Sequence, residues 1–200
     1  MALGKQAKVL TEKQINIALK MLEDSRHPKR DRLMFLLSVK AGLRAKEIAS
    51  VTWKMVTDAE GNITNHIRLE NSASKGKSGR IVPMHKLVRE AFIDYKKHLD
   101  KNQIKKVEPS DQVIVSERGE SMLPGSVVHW FCRLYKNLGF DGCSSHSGRR
   151  TAITNMAKKA SLAGASLKDV QKIAGHTKLS TTELYIQEDS EAQFRLMNLT

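Results

Sequence analysis

Aromatic side chains are scarce in this 200-residue chain: Phe, Trp and Tyr make up 5% of it. The core must therefore be built from Leu, Ile, Val, Met and Ala. Cysteine is almost missing. Cys132 and Cys143 show no metal-ligand spacing, and two cysteines make no disulfide framework. A reducing compartment, the cytoplasm, is the simplest setting. No apolar run approaches the ~20 residues of a membrane span, which excludes a helical membrane protein. The start, Met1-Ala2-Leu3-Gly4-Lys5, lacks the apolar stretch of a secretory signal. Internal repeats and low-complexity tracts are absent. Acidic residues are also in deficit, with 21 Asp and Glu against 34 Lys and Arg and a formal charge of +13. A surplus of that size on a compact domain points to a polyanionic partner, nucleic acid first. A merely solvated basic surface is the plainer reading.

What is present predicts a mainly α protein with one small antiparallel β-ribbon, an α+β fold. Residues 1–10 read as a basic lead-in. Thr11 and Gln14 form a capping box, and Ile15, Ile17, Ala18 and Leu22 continue at helical spacing. A buried helix is expected over 28–41, broken by Gly42, and a short one over 44–54. Asp58 to Asn62 is turn chemistry. Ile63–Leu69 and Arg80–Val82 read as strands joined by a glycine-rich tip that carries Lys75 and Lys77. Helices are expected at 84–100, 124–138, 147–160, 166–174 and 180–187, with an extended piece at Gln112–Ser116. The tail 188–200 holds Phe194, Leu196, Met197 and Leu199, apolar enough to dock.

Several residues suit phosphate chemistry. His146 and Arg149 lie three apart at a helix start and so share a face. Arginine offers a planar fork to non-bridging oxygens, and histidine exchanges protons near neutrality. Gly175 sits where a helix C-cap belongs, His176 follows, and Ser180-Thr181-Thr182 suits the N-cap of a last helix bearing Tyr185. Arg44 opens a helix with Glu47 one turn on. Each feature alone also has a structural reading: a surface pair, a capping glycine with a loop histidine, a half-buried tyrosine, an Arg–Glu pair, a solvated turn lysine.

Taken together, four segments in order resemble the tyrosine recombinases, or phage-type integrases. They are Ala41-Gly42-Leu43-Arg44-Ala45-Lys46-Glu47-Ile48, Ser74-Lys75-Gly76-Lys77-Ser78-Gly79-Arg80-Ile81-Val82-Pro83, His146-Ser147-Gly148-Arg149-Arg150, and Gly175-His176 with Thr181-Thr182 and Tyr185. The resemblance implies a catalytic-domain fold over 11–187 and site-specific recombination of double-stranded DNA, as in phages and mobile elements. It makes Tyr185 the nucleophile of a 3′-phosphotyrosyl intermediate. Arg44 and Arg149 would clamp the scissile phosphate, His146 take the phenol proton, His176 hydrogen-bond the phosphate, and Lys75 protonate the leaving oxygen. Glu47 would orient Arg44 or a neighbouring helix. No cofactor, metal or ATP is implied.

It further implies a homo-oligomer on DNA, a tetrameric synapse of chains that are monomeric when free, with the tail docking on a neighbouring protomer. Ten lead-in residues leave no room for the family's N-terminal clamp domain. Two departures stand out: Arg150 occupies a position where histidine is usual, and Gly148 one where leucine is common. Basic side chains on 84–100 and 124–160, among them Lys96, Lys97, Arg133, Lys136, Lys158 and Lys159, are candidates for DNA contact. The same chemistry serves type IB topoisomerase-like nicking and resealing, and a regulator that kept the fold without the chemistry is the non-enzymatic alternative.

Overall fold

The computed structural model describes residues 7–71, 79–101 and 107–185. Its helices are α1 (Glu12–Glu23), α2 (Pro28–Val39), α3 (Ala45–Ser50), α4 (Lys86–Lys101), α5 (Pro124–Asn137), α6 (Ser147–Lys159), α7 (Leu167–Ala174) and α8 (Leu179–Glu183). Strands β1 (His66–Leu69) and β2 (Arg80–Pro83) pair antiparallel between α3 and α4. Among the described residues no helix is long and apolar enough to cross a membrane. Lys75, Lys77 and the tail from 186 on lie outside the described residues.

Helix α2 is the axis of the core. It packs against α1, α3, α4 and α6 and is buried on all sides from Leu33 to Val39, as a helix at the centre of a helical domain must be. Helix α1 starts on the expected capping box, with Thr11 Oγ1 accepting from Gln14 N and Gln14 Oε1 accepting from Thr11 N. It buries Ile15, Ala18 and Leu22. Ile17, counted with that stripe from the sequence, instead lies 43% exposed. Its position two residues from Ile15 places it on the opposite flank.

Gly42 ends the α2 segment with φ +67°, and its amide donates to Ser38 O. A residue with a Cβ is strained there. Gly148, in the first turn of α6, lies directly on α2. A Cβ added to it would overlap Ser38 Oγ and come within 2.9 Å of Ser38 Cβ. The missing leucine at 148 thus lets α6 approach α2, and α6 carries Arg149 and Arg150.

In the ribbon, His66 pairs with Pro83, Ile67 with Val82 and Leu69 with Arg80. Ile67, Leu69 and Val82 are buried. Alternation along β2 therefore turns Arg80 inward as well. Several boundaries differ from the sequence reading, and strand β1 begins at His66 rather than Ile63, which only bridges to Thr57. Helix α3 stops at Ser50, because Val51 turns extended and Thr52 bridges to Gln112, with a 3-10 turn at Trp53–Met55. The Gln112–Ser116 piece is extended but pairs only at isolated points, Thr52 with Gln112 and Val115 with Ser121. Helix α8 ends at Glu183, so Tyr185 lies beyond the helix rather than within it.

Candidate active site

The pocket is built around one buried carboxylate. Glu47 has a fully buried side chain. Its Oε2 accepts from Arg44 N at 2.8 Å, half of a capping box for α3, and its Oε1 accepts from Arg44 Nη1 at 2.9 Å. Arg80 closes a fork on the same carboxylate at 2.8 and 3.2 Å and donates from Nε to Ile173 O at 2.7 Å. Burial pushes the Glu47 carboxyl up. The hydrogen bonds and charges of Arg80 and Arg44 more than offset this and hold it below the ordinary carboxylate range. Glu47 thus links α3, β2 and α7, the wider form of its expected orienting role.

Arg149 is 4% exposed. It donates to Gly42 O at 2.6 Å, to Ala174 O at 2.8 Å and to His176 Nε2 at 2.9 Å. The carbonyls come from the loop after α2 and the end of α7, so the chain breaks at Gly42 and Gly175 present acceptors to one guanidinium. Desolvation and the neighbouring Arg44 charge lower its pKa to about 10, so it stays charged at neutral pH. Arg44 reaches the same corner, 3.4 Å from Gly175 O. Gly175 adopts φ +64°, and a Cβ there would strike the Arg80 guanidinium at 2.8 Å. Glycine is required on both counts.

His176 follows that turn. A guanidinium has only protons to offer, so His176 Nε2 must be the acceptor from Arg149. The imidazole proton then sits on Nδ1, 2.9 Å from the hydroxyl of the buried Thr182. Burial first, then the charges of Arg149, Arg44 and Arg80, lower the His176 pKa to about 4, so the ring is neutral at pH 7. Thr182, read from sequence as part of an N-cap, instead orients this ring; α8 is entered from Lys178 with no side-chain cap. The Tyr185 ring stacks on His176 at 5.4 Å and 25°. Its amide donates to Thr182 O at 3.0 Å, and its carbonyl accepts from Thr154 Oγ1 at 3.3 Å.

The structure brings Arg44, Glu47, Arg149, His176 and Tyr185 together. It does not join His146 to them. That side chain is exposed at the N-cap of α6, 3.4 Å from Ser145 Oγ, while Arg149 points inward. Helical spacing placed the two on one flank but said nothing of depth. Arg80, which enters the sequence analysis only as the first residue of a strand and as part of the second family segment, is the missed member. Its signal was the strand alternation that pairs it with buried Leu69.

Three guanidiniums share this corner with one carboxylate, leaving it strongly positive and half-roofed by a phenol. The sequence profile of the Phage integrase family matches residues 8–192. The chain belongs to the phage integrase family. Tyrosine recombinase XerC of Chlamydia trachomatis serovar L2 is 32% identical over 158 residues, 78% of this chain and 46% of that protein. Tyrosine recombinase XerA of Thermococcus onnurineus is 27% identical over 180 residues, 89% of this chain and 57% of that protein.

Two solved structures share the fold of this family member. The Tn1549 transposon integrase in complex with circular intermediate DNA matches at TM-score 0.70 and 22% identity, covering 98% of this chain and 67% of that one. The XerA recombinase crystal structure matches at TM-score 0.69 and 20% identity, covering 100% of this chain and 66% of that one. The fold is that of a tyrosine recombinase catalytic domain. The chain spans about half the length of the first curated relatives it matches, 48% and 46%.

Proposed function

We propose that this chain cuts and rejoins double-stranded DNA at specific sites through a 3′-phosphotyrosyl intermediate on Tyr185. The observation that carries the reading is the Tyr185 ring stacked on an imidazole that is itself bonded to buried Arg149. Tyr95 and Tyr135, the other two tyrosines, are 3% and 1% exposed and their phenols are pushed up by burial. Tyr185 is half-buried.

In the reaction, Tyr185 Oη forms a bond to phosphorus as the bond from phosphorus to the 5′-oxygen breaks. The phenol proton leaves to His146, whose exposed side chain turns in from the start of α6 when DNA binds, and the 5′-oxygen takes a proton from Lys75. A phenol is protonated at neutral pH and needs such a base. The products are a 3′-phosphotyrosine and a free 5′-hydroxyl, and reversal by another 5′-hydroxyl rejoins strands without ATP. Negative charge grows on the non-bridging oxygens along the way. Arg44 and Arg149, prepositioned by Glu47 and by backbone carbonyls, meet it with no reorganisation. His176 keeps the Arg149 fork in place, with one ring nitrogen on Arg149 and the other on Thr182.

The tetrameric synapse belongs to the same proposal. An apolar cavity of about 330 Å³ opens between α2, α6 and α7, floored by Val39, Ala152, Met156 and Ile173 and rimmed by Lys40 and Asp169. It is of the kind that accepts the apolar tail 188–200 of a neighbouring protomer.

The test is a nicked suicide substrate, from which the short 5′-hydroxyl fragment diffuses away after cleavage. Wild type gives a covalent adduct on denaturing gels and Tyr185→Phe gives none. An equal adduct from the Phe variant removes Tyr185 from its role.

A further inference from the structure

We infer that Arg150 is a positioning residue for the nucleophile, its guanidinium lying over the Tyr185 ring and holding the phenol at the mouth of the arginine pocket. This rests on the role given to Tyr185 above. The Arg150 Cζ lies 5.8 Å from the Tyr185 ring centroid, inside the ~6 Å reach of a cation–π contact.

A tyrosine that attacks phosphorus needs its hydroxyl free, so its aim has to be set through the ring and the backbone. Tyr185 stands just past a five-residue helix, where α8 itself fixes little. Further restraints come from α6. Arg150 and Thr154 are one turn apart on that helix and so share a stripe. Thr154 Oγ1 donates to the Tyr185 carbonyl at 3.3 Å while Arg150 covers the ring. Ile153, between them in sequence, packs in the same small cluster as Tyr185. His176 supplies the stacked contact.

Arg149 and Arg150 thus divide the work by burial. Arg149 turns inward to Gly42 O and Ala174 O, and Arg150, half-exposed, turns to the tyrosine. The contact also favours the transition state, because the ring grows richer in electrons as charge develops on Oη and so attracts the cation more strongly. Arg150 departs from the histidine usual here, and a neutral imidazole has no charge to place over the ring.

Two measurements test this. The first needs no DNA. In the free protein the Arg150 Nε–Hε NMR resonance is expected upfield of ordinary arginines through the ring current, and Tyr185→Leu returns it to the ordinary range; an unshifted resonance in wild type overturns the contact. The second is single-turnover cleavage of the suicide substrate at saturating DNA, with affinity measured against salt. Arg150→Met and Arg150→Gln should cleave about three- to thirtyfold more slowly, the range a cation–π contact spans from exposed to desolvated sites. Their salt slope should stay that of wild type, and Arg150→Lys, which keeps a cation, should recover most of the rate.

Unchanged cleavage in Arg150→Met overturns the inference. So does a salt slope lower by about one with normal cleavage at saturation, which marks a phosphate contact instead. A lysine variant as slow as the methionine one also overturns it. Absence of any wild-type adduct is a separate result, which sinks the role of Tyr185 while leaving the NMR measurement to judge the contact.

Discussion

Arg149 Nη2 lies 2.9 Å from His176 Nε2, and that bond decides which imidazole nitrogen carries the proton. The donor has no lone pair, so Nδ1 is the protonated nitrogen and Thr182 Oγ1 its acceptor at 2.9 Å. A buried threonine behind the pocket thereby fixes the ring that the Tyr185 phenol stacks on.

Replacing Thr182 with valine keeps the shape and removes that acceptor. The unmatched Nδ1–H is expected to cost about 1–3 kcal/mol of stability, as a buried donor left without a partner does. With the ring free to reorient, single-turnover cleavage should fall about tenfold, equivalent to ~1.4 kcal/mol of barrier. Thr182→Ser should restore both. A valine variant as fast and as stable as wild type contradicts the assignment.

The same histidine sets a pH dependence. Its folded pKa of about 4 lies below the ordinary 6.5. Between those values the unfolded chain binds a proton that the folded chain refuses, so stability falls as pH drops from 6.5 to 4. Glu47 acts lower. Its depressed carboxyl contributes stability above the ordinary 4.5 that is lost as pH falls through its folded value. Melting temperature against pH should therefore decline in two stages, and His176→Gln should flatten the upper one. A variant curve parallel to wild type between pH 6.5 and 5 contradicts this.

Glu47→Gln tests the centre of the pocket. The amide keeps the size but removes the charge that partners both Arg44 and Arg80, and the Arg80 side chain is only 8% exposed. Breaking one side of a buried ion pair costs about 3–5 kcal/mol. Urea unfolding should show a loss of that order, and cleavage should fall with it as Arg44 loses its aim. A loss under about 1 kcal/mol, within the range of exposed pairs, shows that the carboxylate is not the hub.

Gly148 is predicted to resist its usual replacement. Alanine is the better helix former by about 1 kcal/mol, yet its Cβ meets Ser38 Oγ and Cβ. Overpacking of that kind costs about 1–3 kcal/mol, so Gly148→Ala should destabilise. Ser38 Oγ is buried without a hydrogen-bond partner among the described residues, so Ser38→Ala should be nearly neutral alone and should relieve part of the Gly148→Ala loss. Additive effects in that double-mutant cycle contradict direct contact.

Local features were readable in the sequence and long-range ones were not. The Thr11–Gln14 capping box, the break at Gly42 and the Arg44–Glu47 pair each depend on residues within a turn of one another, and all three appear in the structure. Arg80 meets Glu47 across 33 positions, a contact no spacing rule reports, although strand alternation pointed its side chain inward. Thr182 has the composition of an N-cap residue, and only the turn at Gly175 brings His176 back to its hydroxyl. The family boxes located Arg149 and His146 together, yet depth separated them, because the inward face of α6 is set by packing on α2. The expected role of Lys75 falls on the ribbon tip, outside the described residues.

The most direct measurement is the identity of the linked residue. The adduct formed by wild type on a suicide substrate is digested with nuclease and protease, and the nucleotide-bearing peptide is sequenced by mass spectrometry. The account predicts a phosphonucleotide on Tyr185. A nucleotide carried by Tyr95, Tyr135 or any serine contradicts it.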